Sequence, residues 1–185
     1  MRSFVAVDLA PELRRPLVRL LQELRRVPDV RWCTQDQLHV TLKFLGEVDQ
    51  GRLKQVCEIV AQTSAQIAPF QIRLAGLGGF PSRRSPRVLW CGIEDPTGSC
   101  ARWVSLAEPQ FTALGFEAET RAFTPHITLG RSKSPAGAAA MREVLERTAA
   151  LPTVDMTVKE IVLFESRLSP AGARYIRVQT SPLGT

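Results

Sequence analysis

Hydrophobic and polar residues alternate with the two-residue period of a β-strand in several short stretches of this chain. Side chains on a strand point alternately to its two faces, so such a stretch buries one face and exposes the other. The pattern predicts strands at residues 4–8, 30–33, 38–45, 70–77, 87–93, 123–131 and 174–179. Residues 154–168 are predicted to form one long strand or a broken pair, with a turn at 169–172, and the Gly-, Pro- and Ser-rich stretch 78–86 predicts a loop.

Other stretches follow the 3.6-residue period of an amphipathic helix. Asp49 is a predicted N-cap for a helix through about residue 67, and Ser134 followed by Pro135 predicts a helix that runs to about Ala150. A third helix is predicted from residues 95–97 towards residue 114. The strongest helical stretch is 11–26, where one stripe holds Leu13, Leu17, Leu20, Leu21 and Leu24. Helices interspersed with antiparallel hairpins predict an α+β fold.

The order strand, helix, strand, helix, hairpin occurs twice along the chain. The two histidines, His39 and His126, each open a His-apolar-Thr-Leu tetrapeptide, 87 residues apart (126 − 39). Arg87 and Arg174 each follow their histidine by 48 residues (87 − 39 and 174 − 126). Such an internal repeat predicts a pseudo-twofold arrangement, in which His39 faces His126 across a cleft. We expect residues 1–185 to form a single domain made of two lobes.

Composition narrows the classes of function. The chain has 185 residues, of which 44% are hydrophobic and 23% charged, and its net charge of +6 favours a polyanionic partner such as RNA. No apolar run approaches the roughly 20 residues of a membrane span, and the N-terminus lacks the pattern of a signal peptide. We therefore expect a cytoplasmic protein without membrane contact. The four cysteines lack metal-type spacing and are expected to be free thiols.

The residues around both histidines resemble a known family. The run 38–48 reads Leu-His-Val-Thr-Leu-Lys-Phe-Leu-Gly-Glu-Val, and 123–131 reads Phe-Thr-Pro-His-Ile-Thr-Leu-Gly-Arg. With the flanking stretches 4–11, 80–81, 87–90, 163–166 and 172–175, the chain resembles the 2H phosphoesterases, named for two H-x-T motifs. Within them it is most similar to the RNA 2',3'-cyclic phosphodiesterases, also called 2'-5' RNA ligases. Gly130 stands where that family often has alanine.

The resemblance implies both a fold and a reaction. The fold is two lobes, each an antiparallel sheet with outer helices, around a central cleft. The reaction is hydrolysis of a 2',3'-cyclic phosphate at an RNA end to a 2'-phosphate, with His39 as proton donor and His126 as proton acceptor. The implied partner is RNA with such an end. We expect no cofactor, no obligate protein partner and a monomer.

The residue types suit that chemistry. Opening a cyclic phosphodiester requires a base for the attacking water and an acid for the leaving oxygen, and imidazoles with a pKa near about 6.5 can serve as either. Thr41 and Thr128 share the strand faces of the histidines, so their hydroxyls can stabilise charge on the phosphate. Lys43 is expected on the same face. Strict alternation places Arg131 opposite His126, so Arg131 joins the site only past a bend, and its role is mainly implied by the resemblance.

Several interpretations remain open at this stage. We expect no metal, because the two histidines lack a third ligand at recognisable spacing. Phe80 and Tyr175 could stack on a nucleobase or pack in the core or the hairpin. Arg83 and Arg84 could contact an RNA backbone or simply lie on an exposed loop.

The same site could also run in reverse and join RNA ends through a 2'-5' linkage. Two other functions are a phosphodiesterase for a small cyclic nucleotide or sugar phosphate, and a non-catalytic RNA-binding module. The intact histidines and threonines of both motifs argue against the latter.

Overall fold

A computed structural model describes residues 1–148, 151–170 and 172–185. Its helices are α1 (Pro11–Leu24), α2 (Gln50–Ser64), α3 (Ser99–Ala113) and α4 (Pro135–Arg147). Its strands are β1 (Arg2–Asp8), β2 (Val30–Trp32), β3 (His39–Glu47), β4 (Phe70–Phe80), β5 (Val88–Glu94), β6 (His126–Ser132), β7 (Asp155–Val158), β8 (Glu160–Ser169) and β9 (Gly172–Pro182). No helix among these residues is long and apolar enough to cross a membrane.

The strands form one antiparallel sheet with two halves. Their order is β7-β4-β5-β6-β3-β1-β8-β9, and β2 pairs with β6. Strands β3, β1, β8 and β9 with helices α2 and α3 form the His39 lobe, whereas β6, β5, β4, β7 and β2 with α1 and α4 form the His126 lobe. The halves meet where Val40 of β3 pairs with Ile127 of β6. The predicted α+β fold of two antiparallel lobes is confirmed, and the single domain over 1–185 stays a prediction.

The two faces of the sheet have different surroundings. Val5 and Val7 of β1 point into the main hydrophobic core with the helices. The alternate residues, Phe4 and Ala6, point to the opposite face, where they pack in a small second cluster with Val162, Phe164 and Tyr175. The helices therefore cover one face, and polar side chains can reach a ligand only from the other, open face.

The internal repeat is interleaved between the lobes. The first copy runs β1-α1-β3-α2-β4, and the second runs β5-α3-β6-α4-β8. The predicted equivalence of Arg87 and Arg174 is therefore wrong, because Arg87 precedes β5, the counterpart of β1, whereas Arg174 lies in β9. In each copy the last strand leaves its own lobe: β4 pairs with β5 in the His126 lobe, and β8 pairs with β1 in the His39 lobe. Each half of the sheet is thus built from both copies.

A β-bulge interrupts both histidine strands at the same place. In β3, Thr41 pairs with Ala6 and Lys43 with Val5, which leaves Leu42 without a partner in that ladder. In β6, pairs form at residues 128 and 130, and residue 129 is the one passed over. Each bulge therefore lies three residues after its histidine (42 − 39 and 129 − 126). A bulge resets the alternation of side chains, so the residues beyond it change faces.

Most predicted elements form, and both predicted caps are confirmed. Asp49 Oδ1 accepts the N–H of Arg52 at 2.9 Å, and Ser134 Oγ accepts the N–H of Gly137 at 3.2 Å. Helix α3 continues through Pro109. Helices α1 and α2 end two and three residues earlier than predicted (24 for 26, 64 for 67).

Three predictions about strand ends are wrong or decided by the structure. The loop predicted from residue 78 is wrong, because β4 continues through Gly78 to Phe80. Strand β3, predicted to end at residue 45, continues through Gly46 to Glu47, and that glycine adopts a φ of +67°. The stretch 154–168 is a broken pair, β7 and β8. Ala150 at the predicted helix end and Ala171 in the predicted turn lie outside the described residues.

Candidate active site

The four motif side chains share the open face where the lobes meet. Val40 and Ile127, the paired residues of β3 and β6, are fully buried against the helices. Their neighbours point the other way, and extending this antiparallel register by one residue sets His39 opposite Thr128 and Thr41 opposite His126. Side chains directly opposite in such a pair have Cβ atoms about 4.5–5.5 Å apart. Two imidazoles and two hydroxyls therefore surround one small area.

Each imidazole is held by the same backbone hydrogen bond. Nδ1–H of His39 donates to the carbonyl oxygen of Gln37 at 2.8 Å, and Nδ1–H of His126 donates to that of Thr124 at 2.7 Å. A carbonyl can only accept, so the proton of the neutral ring must be on Nδ1. Nε2 of each ring is then a proton acceptor when neutral and a donor when protonated.

Aromatic rings fix the orientation of both imidazoles. His39 lies 4.7 Å from the Phe4 ring and 5.2 Å from Tyr175, which meets it edge-on. His126 lies 5.0 Å from Phe80, again edge-on, and 5.9 Å from Trp90. Phe80 and Tyr175 thus each contact one histidine, and their stacking on a nucleobase stays a prediction.

The electrostatic surroundings of the two rings differ. Burial lowers the pKa of His39 from 6.5 to about 4, against the opposing influence of the Gln37 carbonyl and the Asp8 carboxylate. Burial also lowers the pKa of His126, and the Arg131 guanidinium lowers it further. Both rings are therefore neutral near pH 7 in the free protein. At His39 the Asp8 carboxylate favours the protonated form and the Arg14 guanidinium opposes it, whereas at His126 the nearby charge is the Arg131 guanidinium, which opposes it.

The placement expected for Lys43 is wrong. Beyond the bulge, Lys43 points away from His39 into the protein and is only 6% exposed. Its Nζ donates to Glu108 Oε1 at 2.7 Å and to the carbonyl oxygen of Glu117 at 2.7 Å. Lys43 is therefore part of a buried ion pair with α3 and does not face the site.

The bulge in β6 has the opposite consequence for Arg131. It supplies the bend that strict alternation lacked, so Arg131 is exposed and lies near enough to His126 and Tyr175 to lower the pKa of each. Arg131 forms no ion pair with any other residue that the structure describes. Its guanidinium is available to a phosphate.

The two loop arginines are not equivalent. Arg83 donates to the carbonyl oxygen of Leu77 and, at 3.1 Å, to that of Leu145 near the end of α4. Its guanidinium braces the loop against the His126 lobe, so it does not offer the free RNA contact that was one interpretation of its sequence. Arg84 is exposed.

Two residues near the site were missed by the sequence reasoning. Asp8 pairs with His39 across β1 and β3, and its carboxylate accepts from Arg14 Nη2 at 2.7 Å. Phe44 lies on the open face beyond the bulge. Neither carries a local signal, because the pairing of β1 and the bulge in β3 arise from tertiary structure. Across residues 1–148, 151–170 and 172–185, no group of three or more His, Cys, Asp or Glu side chains could hold a metal ion.

Comparison with known proteins identifies the family. Residues 10–169 match the model of the 2'-5' RNA ligase superfamily. The chain belongs to this superfamily. It is 35% identical over 176 residues to the RNA 2',3'-cyclic phosphodiesterase of Methanothermobacter thermautotrophicus, covering 95% of each chain. The resemblance inferred from the two motifs is therefore confirmed.

Solved structures support the same assignment for this superfamily member. The crystal structure of TT0787 of Thermus thermophilus superposes with a TM-score of 0.81 at 28% identity, covering 99% of this chain and 98% of the other. E. coli LigT complexed with 3'-AMP superposes with a TM-score of 0.79 at 25% identity, covering 100% and 98%. The likeness thus extends over the whole fold and includes both lobes.

Proposed function

We propose that the protein hydrolyses the 2',3'-cyclic phosphate at an RNA end and leaves a 2'-phosphate. One observation is the main support for this proposal. His39 and His126 lie on the same open face, each held by an Nδ1 hydrogen bond to a backbone carbonyl and each opposite a threonine of the other motif. The similar proteins named RNA 2',3'-cyclic phosphodiesterase, and LigT with bound 3'-AMP, support this substrate class. RNA is the proposed partner, and no metal cofactor or protein partner enters the proposed reaction.

In the proposed reaction a water molecule attacks phosphorus opposite the 3' oxygen. Nε2 of His126 accepts a proton from the water, a new P–O bond forms, and the bond between phosphorus and the 3' oxygen breaks. Nε2–H of His39 donates a proton to that oxygen, which becomes the 3'-hydroxyl. The hydroxyls of Thr41 and Thr128 and the guanidinium of Arg131 stabilise the charge on the other phosphate oxygens.

The division of roles follows the resemblance to the family, because the charges beside the two rings are mixed. The Asp8 carboxylate raises the pKa of His39 and the Arg14 guanidinium lowers it, and the Arg131 guanidinium lowers the pKa of His126. Burial opposes protonation of His39 in the free protein. A bound phosphodiester anion offsets that effect, because a nearby negative charge raises the pKa of an imidazole.

The same steps account for ligation as a second activity. If the 5'-hydroxyl of another RNA replaces water, its attack on phosphorus and the departure of the 3' oxygen produce a 2'-5' linkage. The match to the 2'-5' RNA ligase superfamily favours this candidate. Hydrolysis prevails in the proposal because water is always available to an open site.

The test uses a short RNA that ends in a 2',3'-cyclic phosphate, incubated in the presence of EDTA. The wild type should release a 2'-phosphate end, and His39→Ala and His126→Ala should each lose roughly 10²–10⁴-fold in kcat. Gln62→Ala, an exposed neutral residue of α2 on the helix-covered face of the sheet, is the matched control and should keep the wild-type kcat. The mechanism would be refuted by undiminished turnover in both histidine variants, and metal independence by loss of wild-type activity in EDTA. Tight binding without turnover would favour the RNA-binding module.

A further inference from the structure

We propose that Arg31 and Lys133 form a second phosphate-binding site, which receives the phosphodiester on the 5' side of the last nucleoside of the RNA. This inference rests on the proposed function. Arg31 is the middle residue of β2 and pairs directly with Arg131 of β6, and both side chains are exposed. The neighbours of Arg31 in β2, Val30 and Trp32, pack against the helix-covered core. Alternation along β2 therefore directs Arg31 to the open face, the face of the two histidines.

Like charges lie directly opposite each other in this pair of strands. Side chains in such antiparallel pairs have Cβ atoms about 4.5–5.5 Å apart, and two like charges at that distance are destabilising. Lys133 adds a third cation. Its backbone N–H donates to the carbonyl oxygen of Asp29 at 2.8 Å and continues the pairing with β2, and its two-residue spacing from Arg131 sets it on the same face. A bound phosphate relieves the repulsion, because its oxygens accept from guanidinium and ammonium groups together.

No carboxylate among the described residues neutralises these cations. Arg31, Arg131 and Lys133 form no ion pair within residues 1–148, 151–170 and 172–185. Asp29, the acidic residue nearest to Arg31 in the sequence, instead accepts from the Ser134 hydroxyl at 3.0 Å, at the start of α4. The positive charge at this end of β6 is therefore available to an anion from outside the protein.

The cations lie on the His39 side of β6. Val88 of β5 pairs with Arg131 along one edge of β6, so Arg31 must pair along the other edge, where β3 also pairs. Along that edge His39 is opposite residue 128 and Arg31 is opposite residue 131, roughly 10 Å further along the strand. In the proposed reaction His39 protonates the 3' oxygen. The ribose therefore lies on this side, and its 5' phosphate is directed to a surface that contains Arg31.

The reacting phosphate already has its own ligands. Arg131 lies near enough to His126 to lower the pKa of that ring, whereas Arg31 is not among the charges that shift it. Arg131 and the two motif threonines are proposed to hold the cyclic phosphate, which leaves Arg31 and Lys133 for another anion. The next phosphate of such an RNA is the one on the 5' side of its last ribose. A lone nucleoside 2',3'-cyclic phosphate lacks it, so this site favours RNA over a small cyclic nucleotide.

The experiment compares three substrates. They are cytidine 2',3'-cyclic phosphate, a dinucleotide that ends in it, and the same dinucleotide with an uncharged methylphosphonate linkage. Arg31→Ala should raise KM for the charged dinucleotide roughly 10-fold with little change in kcat, because a charge-assisted contact to the bound substrate is lost. KM for the other two substrates should not change. Lys133→Ala should have the same selectivity and a smaller effect, because lysine binds phosphate as a point charge.

Arg102→Ala is the matched control, since Arg102 is an exposed arginine of α3 on the helix-covered face of the sheet. It should keep the wild-type KM for all three substrates. For the charged dinucleotide, the slope of log KM against log salt concentration should fall by about 0.7 in Arg31→Ala and stay unchanged in the control. Without RNA, the thermal unfolding midpoint of Arg31→Ala should equal or exceed that of wild type, because a repulsion is removed. A lower midpoint would indicate a structural role and count against the site.

Two kinetic outcomes would overturn the inference. One is an unchanged KM for the charged dinucleotide in Arg31→Ala. The other is an equal rise for cytidine 2',3'-cyclic phosphate, which would place Arg31 at the reacting phosphate.

Binding of the products separates this failure from that of the proposed function. Calorimetry compares cytidine 2'-phosphate with the dinucleotide that ends in a 2'-phosphate. If wild type turns over none of the three substrates, the proposed function fails, but Arg31→Ala should still lose affinity for the dinucleotide alone. Equal affinities for that dinucleotide in wild type and variant would remove the second phosphate site whatever the enzyme catalyses.

Discussion

The surroundings of His39 and of His126 are two versions of one scaffold. Both rings use Nδ1 to bind a carbonyl two residues earlier, both contact two aromatic rings, and both strands bulge three residues later. They differ in charge: an ion pair of Asp8 with Arg14 lies beside His39, and a cation without an ion-pair partner among the described residues, Arg131, lies beside His126. The shared features orient an imidazole, and the different ones place unlike charges beside two rings that are both neutral near pH 7 in the free protein.

The two strands are also anchored differently beyond the bulge. Four residues after its histidine (43 − 39), β3 has Lys43, which is ion-paired with Glu108. The corresponding residue of β6 (130 − 126) is Gly130, where a Cβ would come within 2.6 Å of the Trp32 ring. One strand is held by a buried ion pair and the other by close ring packing. Substitutions can therefore disturb either half separately.

The largest expected effect tests which ring is the acid. An RNA end whose 3' oxygen is replaced by sulfur has a leaving group that departs without a proton. His39→Ala should recover most of its roughly 10²–10⁴-fold loss on this substrate, whereas His126→Ala should not, because the water still requires a base. Single-turnover rates on both substrates measure this. If the sulfur substrate rescues His126→Ala and does not rescue His39→Ala, then His126 is the acid and His39 is the base.

A smaller effect is expected from Gly78→Ala, which should disturb only the His126 half. The new Cβ would come within 2.1 Å of the Trp90 ring, so that ring must move and with it the packing around His126. We expect a loss of about 10-fold to 100-fold in kcat and about 1–3 kcal/mol in the free energy of unfolding. Gly76→Ala, on the same strand with open space around its Cβ, is the control and should match the wild type in both measurements.

Lys43→Met should affect stability and leave catalysis largely intact. Removing the ammonium leaves the Glu108 carboxylate partly buried without its ion-pair partner, and Glu108 Oε2 already has no hydrogen bond among the described residues. We expect the free energy of unfolding in urea to fall by about 2–3 kcal/mol. The double variant Lys43→Met with Glu108→Gln should recover part of the lost free energy of unfolding, because the unpaired carboxylate is then gone. A large rise in KM with an unchanged free energy of unfolding would show that Lys43 contacts the substrate, as the sequence had predicted.

The last effect appears only below neutral pH and compares the two rings through the free energy of unfolding. The folded state holds the pKa of His39 at about 4, below its value of 6.5 in the unfolded chain. The stability contributed by this group is therefore fully present above pH 6.5 and is lost as the pH falls from 6.5 to 4, by about 3 kcal/mol. His39→Asn should remove this dependence. His126→Asn should reduce the pH dependence of stability by a smaller amount, since the pKa of that ring is lowered to a smaller extent.

The sequence was sufficient for the elements whose signals are local. The caps at Asp49 and Ser134, the helix with the leucine stripe and both histidine strands follow from side-chain chemistry and periodicity within a few residues. The repeat of 87 residues predicted that the two motifs would lie together, and the pairing of β3 with β6 brings them together. The two motifs and the order of the predicted elements were therefore enough to predict both the family and the fold.

What could not be predicted depends on partners distant in the chain. A bulge has no signature in composition, so Lys43 was expected on the wrong face and Phe44 was not considered. Gly78 was interpreted as a loop residue, whereas its missing side chain makes room for Trp90 from the next strand. The brace formed by Arg83 depends on the position of α4. In each case a tertiary contact overrode the local pattern.

The interleaving of the two repeats has a consequence for splitting the chain. A cut between β4 and β5 would leave each fragment with an open sheet edge, because β4 pairs with β5 and β8 pairs with β1. Neither fragment alone can complete a lobe, but the two together contain every strand that both lobes require. Such fragments should reassemble with each other on mixing, and each alone should form an intertwined pair with its own copy or aggregate.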